Sequence, residues 1–138
     1  MGQFLNKDGL QVCSKDGHDF VLCEALMYLS NQGHTYRVPS GSTTDGISTP
    51  KELWAKYPPF GNWWFPGILH DAGYRDTLEI QDIEGAWHPT TLTKEMIDWL
   101  FKEAMVNNGV SEWDAEIIFQ GVNQFGTMAF VEDRKKKS

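Results

Sequence analysis

No apolar run in the chain approaches the ~20 residues that a bilayer-spanning helix needs. The N-terminal stretch MGQFLNKDGL has no basic segment leading into an apolar one. Neither an integral membrane segment nor a signal peptide is expected, and the cytosol is the expected first location. Positive charge is also short: 12 Lys and Arg stand against 19 Asp and Glu, for a formal net charge of -7. A nucleic-acid partner demands a basic surface that neutralises phosphates, and an anionic membrane demands the same, so neither is expected. Cysteine is scarce, with only Cys13 and Cys23 present. Their spacing fits no zinc pattern. A disulfide between facing strands is one reading; two half-buried free thiols is the reading the sequence favours. Met1-Gly2 raises N-myristoylation, but Asn6 stands where that motif requires Ser or Thr. No internal repeat and no low-complexity segment interrupts the chain.

What is present is enough for a core. Apolar residues make up 41% of the chain and aromatics 13%, including six Trp, which excludes disorder over most of its length. At this size one domain is expected, over residues 1–131, followed by a charged tail at 132–138 (EDRKKKS). The first half reads as strands. Leu10–Cys13 is a short apolar stretch before a Lys15-Asp16-Gly17 turn, and His34–Val38 alternates and stops at Pro39. Phe20–Leu29 reads as a strand or as an irregular helix, because Glu24-Ala25-Leu26-Met27 weakens the strand pattern.

The second half reads as helices. Thr49 and Pro50 open one over Lys51–Lys56. Trp63–Tyr74 is the central helix, with Pro66 tolerated in its first turn. Residues 76–91 leave room for a short hairpin. Thr93 caps a helix to about Val106, whose apolar residues Ile97, Leu100, Phe101, Ala104 and Met105 have helical spacing. Asn107-Asn108-Gly109 ends it. Ser111, with Asp114 three residues on, caps a last helix to about Asn123. The expected class is α+β: a small antiparallel strand meander followed by three or four packed helices.

Three groups could carry chemistry. In HDAGY (His70–Tyr74), His70 and Tyr74 stand at i and i+4 and share a helix face, while Asp71 points along an adjacent edge. Gly73 costs roughly 1 kcal/mol in a helix interior, which suggests a close neighbour there. Asp98 falls on or near the apolar stripe of the following helix, where an unpaired carboxylate would be expensive. His70 is its obvious partner. A carboxylate on one ring nitrogen fixes the tautomer and leaves the other nitrogen to take a proton from water. Thirdly, the loop Thr43–Pro50 (TTDGISTP) gathers Asp45 and several hydroxyls, a chemistry suited to a hard cation or an oxyanion.

HDAGY followed by Asp98 and Phe101 on a later helix resembles the core of the secretory calcium-dependent phospholipase A family. The resemblance runs from about Trp63 to Met105. It implies that His70 is the general base, Asp71 a calcium ligand, Asp98 the acid that orients His70, and Tyr74 the support of Asp98. The chain lacks that family's disulfide set, its glycine-rich calcium loop before the His, and its architecture, which does not open on a strand meander. A second resemblance covers more of the chain, about His34 to Ala129. VPSGSTTDGISTPKELW, HDAGY, the Asp98 helix and a late Val122, Phe125, Gly126 resemble a family common in tailed phages and prophages to which no activity is assigned. It implies a phage context, in the host cytoplasm or on the virion, and places the Asp45 loop and His70 in one site.

The leading expectation is a hydrolase with catalytic His70, Asp98 and Tyr74, and with Asp71 and Asp45 holding a divalent cation, calcium first. An ester lipid is the best substrate guess, and Trp63-Trp64-Phe65 could line an apolar mouth for it. The rival is a non-enzymatic virion or assembly protein with phage structural partners, in which the same cluster stiffens the fold. A metal-dependent cell-wall hydrolase, with His70, Asp45 and Asp71 or Asp98 on zinc, ranks below both because only one strong His ligand is in view.

Overall fold

The computed structural model describes residues 2–5, 12–14, 20–44, 64–125 and 130–131. The expected helix after Thr49, the Asp45 loop, the Lys15-Asp16-Gly17 turn and the charged tail lie outside the described residues.

Among the described residues, eight strands form two antiparallel sheets. The larger takes β1 (Gln3–Phe4), β4 (Leu26–Leu29), β5 (Thr35–Val38), β7 (Glu79–Gln81) and β8 (Trp87–Pro89), in that order. The smaller takes β2 (Val12–Ser14), β3 (Phe20–Leu22) and β6 (Thr43–Thr44). Three helices complete the described chain: α1 (Trp64–Tyr74), α2 (Lys94–Asn107) and α3 (Glu112–Phe125). The arrangement is α+β, as the pattern of the sequence implies. Phe20–Leu29 resolves as two strands, β3 and β4, in different sheets. The stretch 76–91 does hold a hairpin, and β7 adds it to the edge of the larger sheet by pairing Ile80 with Tyr36.

Alternation decides which face of this sheet is covered. Leu26 and Tyr28 on β4, and Tyr36 and Val38 on β5, are buried, while the residues between them are not. α1 packs against β5 and β6, α2 against β1, and the three helices pack in sequence, α1 on α2 and α2 on α3. One apolar core joins these layers, from Phe4, Leu26 and Tyr28 through Ile68, Leu69 and Phe101 to Ile118 and Val122. No helix among the described residues is long and apolar enough to cross a membrane.

The helix ends follow their expected chemistry. Thr93 takes an extended conformation and its hydroxyl accepts the Met96 amide at 3.2 Å. Gly109, at φ +95°, closes α2, with Val110 N–H donating to Met105 O at 2.9 Å. The Ser111 hydroxyl accepts the Asp114 amide at 3.1 Å at the start of α3. α1 stops where Asp76 turns left-handed, at φ +60°.

One expectation from the sequence is corrected. The two cysteines are not free thiols: Cys23 is disulfide-bonded, and Cys13 is the chain's only other cysteine. The antiparallel β2–β3 pairing, with Cys13 opposite Val21, brings the two segments together.

At Gly73, α1 lies close against Ile97 of α2. A Cβ there would stand 2.8 Å from Ile97 Cγ2 and 3.0 Å from Cγ1, atoms next to the β-branch that cannot swing aside. Gly73→Ala should therefore destabilise the protein by about 1–3 kcal/mol through overpacking, despite better helix propensity. Urea denaturation measures this, and adding Ile97→Ala should cost less than the sum of the two single changes. An unchanged midpoint in Gly73→Ala would contradict so close an approach.

Candidate functional site

The seam opened by Gly73 places a polar cluster in an otherwise apolar interface. His70 and Tyr74 share one face of α1, and their rings meet at a 45° tilt with centroids 4.1 Å apart. Phe101 of α2 lies 4.8 Å from the His70 ring, and Phe130 lies 5.2 Å from that of Tyr74. Asp98 faces them from α2. Its Oδ1 lies 2.9 Å from His70 Nε2 and accepts the Tyr74 hydroxyl at 2.7 Å. An ionised carboxylate only accepts, so His70 Nε2 carries the shared hydrogen. His70 and Tyr74 are each 1% exposed and Asp98 is 0% exposed.

The other oxygen of Asp98 is taken by a residue that sequence reasoning missed. Lys94 Nζ donates to Oδ2 at 2.7 Å and to the Asn123 backbone carbonyl of α3 at 3.1 Å. Lys94 is 11% exposed at its side chain, so the ion pair is largely withdrawn from water. The signal was present as an i,i+4 Lys-Asp spacing, which usually marks a solvated helix face. Here the same spacing lies at the seam, and Lys94 ties α2 to α3.

These contacts set the charge on Asp98. Burial is the largest single influence and pushes its carboxyl upward. Hydrogen bonds from His70, Lys94 and Tyr74 act the other way and together win, holding it below the ordinary carboxylate value. The cluster is thus a buried carboxylate satisfied by three donors, one of them a formal cation.

Of the remaining site residues, Asp71 is buried on α1, at 3% exposure, and Asp45 lies outside the described residues. Trp64 and Phe65 are partly buried and pack against the core, and Trp63 lies outside the described residues. Among the described residues, no three His, Cys, Asp or Glu side chains gather as a metal site. His88, on the exposed hairpin, places Nε2 2.6 Å from Asp82 Oδ2, away from the seam.

Residues 20–122 match a family model described as a protein of unknown function (DUF1353). The chain belongs to this family. The match runs from β3 almost to the end of α3, so His70, Tyr74, Lys94 and Asp98 all fall within it. No curated protein and no solved structure matches the chain.

Proposed function

We propose that the protein is a hydrolase of the phospholipase-like kind, with His70 as general base and an ester lipid as substrate. The observation that carries this reading is the single oxygen of Asp98 that receives both His70 Nε2 and the Tyr74 hydroxyl. That arrangement fixes the imidazole ring and its tautomer, as a base aimed at water requires. His70 Nδ1 would take a proton from water as the water oxygen bonds to the ester carbonyl carbon. The same proton would then pass to the departing alkoxide, leaving acid and alcohol. Asp98 stabilises the imidazolium in between, and Tyr74 holds Asp98 in place.

A divalent cation would supply a Lewis acid for the carbonyl oxygen. Asp71, buried on α1, would hold it together with Asp45. If Asp71 and the Asp45 loop form an oxygen site, millimolar calcium should raise the melting temperature more than magnesium does. Asp71→Asn should abolish that rise. No shift in either protein with either ion would remove the metal from the scheme.

A second reading has its own support. His70 is almost fully buried, and Lys94 already neutralises Asp98, as suits a cluster that only locks helices together in a virion or assembly protein. Release of fatty acid from mixed phospholipid vesicles by the wild-type protein separates the two. Turnover supports the hydrolase. No cleavage of lipids, simple esters or peptidoglycan removes it, and the cell-wall alternative with it.

A further inference from the structure

On the outer side of α2, away from His70, Trp99 is exposed at 58%. It stands between two cavities of about 330 and 150 Å³, and Gln32, Trp99 and Glu103 line both. We propose that this ridge and its two cavities form a binding site for a neutral, β-linked oligosaccharide, with a sugar ring stacked on the Trp99 indole.

The ring is held as a platform. Phe119 meets it edge-on at 6.3 Å, and Lys102 Nζ lies 5.5 Å from its centroid. The face of an indole is electron-rich, and the C–H face of a β-linked pyranose is its electrostatic complement. The polar groups beside it are the right kind and are uncommitted. Glu103 uses only Oε1, which accepts the Tyr28 hydroxyl at 2.8 Å and the Asn31 amide at 2.9 Å. Its Oε2, the Gln32 side-chain amide and the Trp99 ring N–H bond no other described residue. Two of the three sit on firm supports: Glu103 by those two bonds, and Trp99 on α2. Asn107 stiffens the same wall by donating to both Tyr28 Oη and Asn31 Oδ1. A pocket with an aromatic floor and a few placed donors and acceptors is the usual form of a small-ligand site.

Charge narrows the ligand. Lys102 and Glu103 both border the larger cavity, so its rim carries one charge of each sign. Lys102 is ion-paired with Glu116 on α3. A phosphorylated or otherwise anionic ligand meets Glu103, and a cationic one meets Lys102. A neutral polyol meets neither penalty, and the carboxylate oxygen and amide suit vicinal hydroxyls or an N-acetyl group. Two cavities on either side of one indole suit consecutive sugar units.

The test is titration of the full chain with chitotetraose and with cellotetraose, by calorimetry and by the indole N–H resonances. Trp99→Phe assigns the resonance among the six Trp. The expected result is saturable binding of at least one probe, with the Trp99 signal shifting. Trp99→Ala should bind at least about tenfold more weakly, which is roughly 1.4 kcal/mol. Gln32→Ala, an exposed turn substitution that leaves the helices untouched, should weaken binding severalfold. No response to either probe at about 10 mM, a concentration at which even millimolar affinities register, would overturn the proposal. So would wild-type affinity in both variants. Binding to zwitterionic phospholipid vesicles that Trp99→Ala abolishes, with no sugar response, would overturn it in favour of a lipid-facing role.

Discussion

Asp98→Ala is expected to cost about 3–5 kcal/mol of folding stability, the range for removing one partner of a buried ion pair. Three donors lose their acceptor at once: His70 Nε2, the Tyr74 hydroxyl and the Lys94 ammonium. Urea denaturation reads the loss as a lower midpoint at unchanged slope. Asp98→Asn is a finer probe. Its oxygen can still accept from His70 and Tyr74, but its amide then points donors at Lys94. We expect a loss of about 1–3 kcal/mol, the cost of an unsatisfied buried group, and partial recovery when Lys94→Gln supplies an acceptor. A cost below about 1 kcal/mol for Asp98→Ala would mean that the cluster does not hold the helices together.

The same carboxylate gives a pH dependence of known sign. Its folded pKa lies below the ordinary value of 3.8. The stability it contributes is therefore fully present above that ordinary value and is lost as pH falls through the lower folded one. Wild type should lose stability across this acid window, and the Asp98→Asn profile should be flatter there.

His70→Ala is expected to reduce fatty-acid release from vesicles by about 10²–10⁴-fold, the usual worth of a general base. Its effect on folding should be smaller than that of Asp98→Ala. Lys94 and Tyr74 still satisfy the carboxylate after the ring is gone, so the losses include the Nε2 hydrogen bond to Asp98 and leave a cavity beside Phe101. Activity and stability should thus separate: His70→Ala inactive but folded, Asp98→Ala both inactive and unstable. An active wild type whose rate survives His70→Ala would assign the chemistry elsewhere.

The helices were the most legible part of the chain. Thr93 and Ser111 are hydroxyl caps placed just before apolar periodicity, and the structure starts α2 and α3 beside them. Gly73 in mid-helix signalled a close neighbour, which is Ile97. The pairing of His70 with Asp98 could be read from an acid on an apolar stripe, since burial forces it to find donors. Three features were harder to read. Lys94 was hidden because a lysine four residues before an aspartate looks the same on a wet face as at a seam. The β7–β8 hairpin was expected within 76–91, but its attachment to β5 was not, because for strands of three residues partners distant in sequence decide the place in the sheet. The disulfide stood only as the less favoured of two readings, because two cysteines ten residues apart carry no pattern until the strand register brings their segments together.

The bridge from Lys94 to Asn123 has a consequence for how the protein comes apart. One carboxylate joins α1 through His70 and Tyr74, and α3 through Lys94. Peeling away either flanking helix breaks bonds of a charge that is otherwise sealed from solvent. Partial opening is penalised more than the apolar contacts alone would demand. The three helices should therefore behave as one cooperative unit, with their central amides exchanging hydrogen at a common slow rate set by global unfolding. The exposed β7–β8 hairpin, pinned at its tip by Asp82 and His88, should exchange on its own, faster timescale.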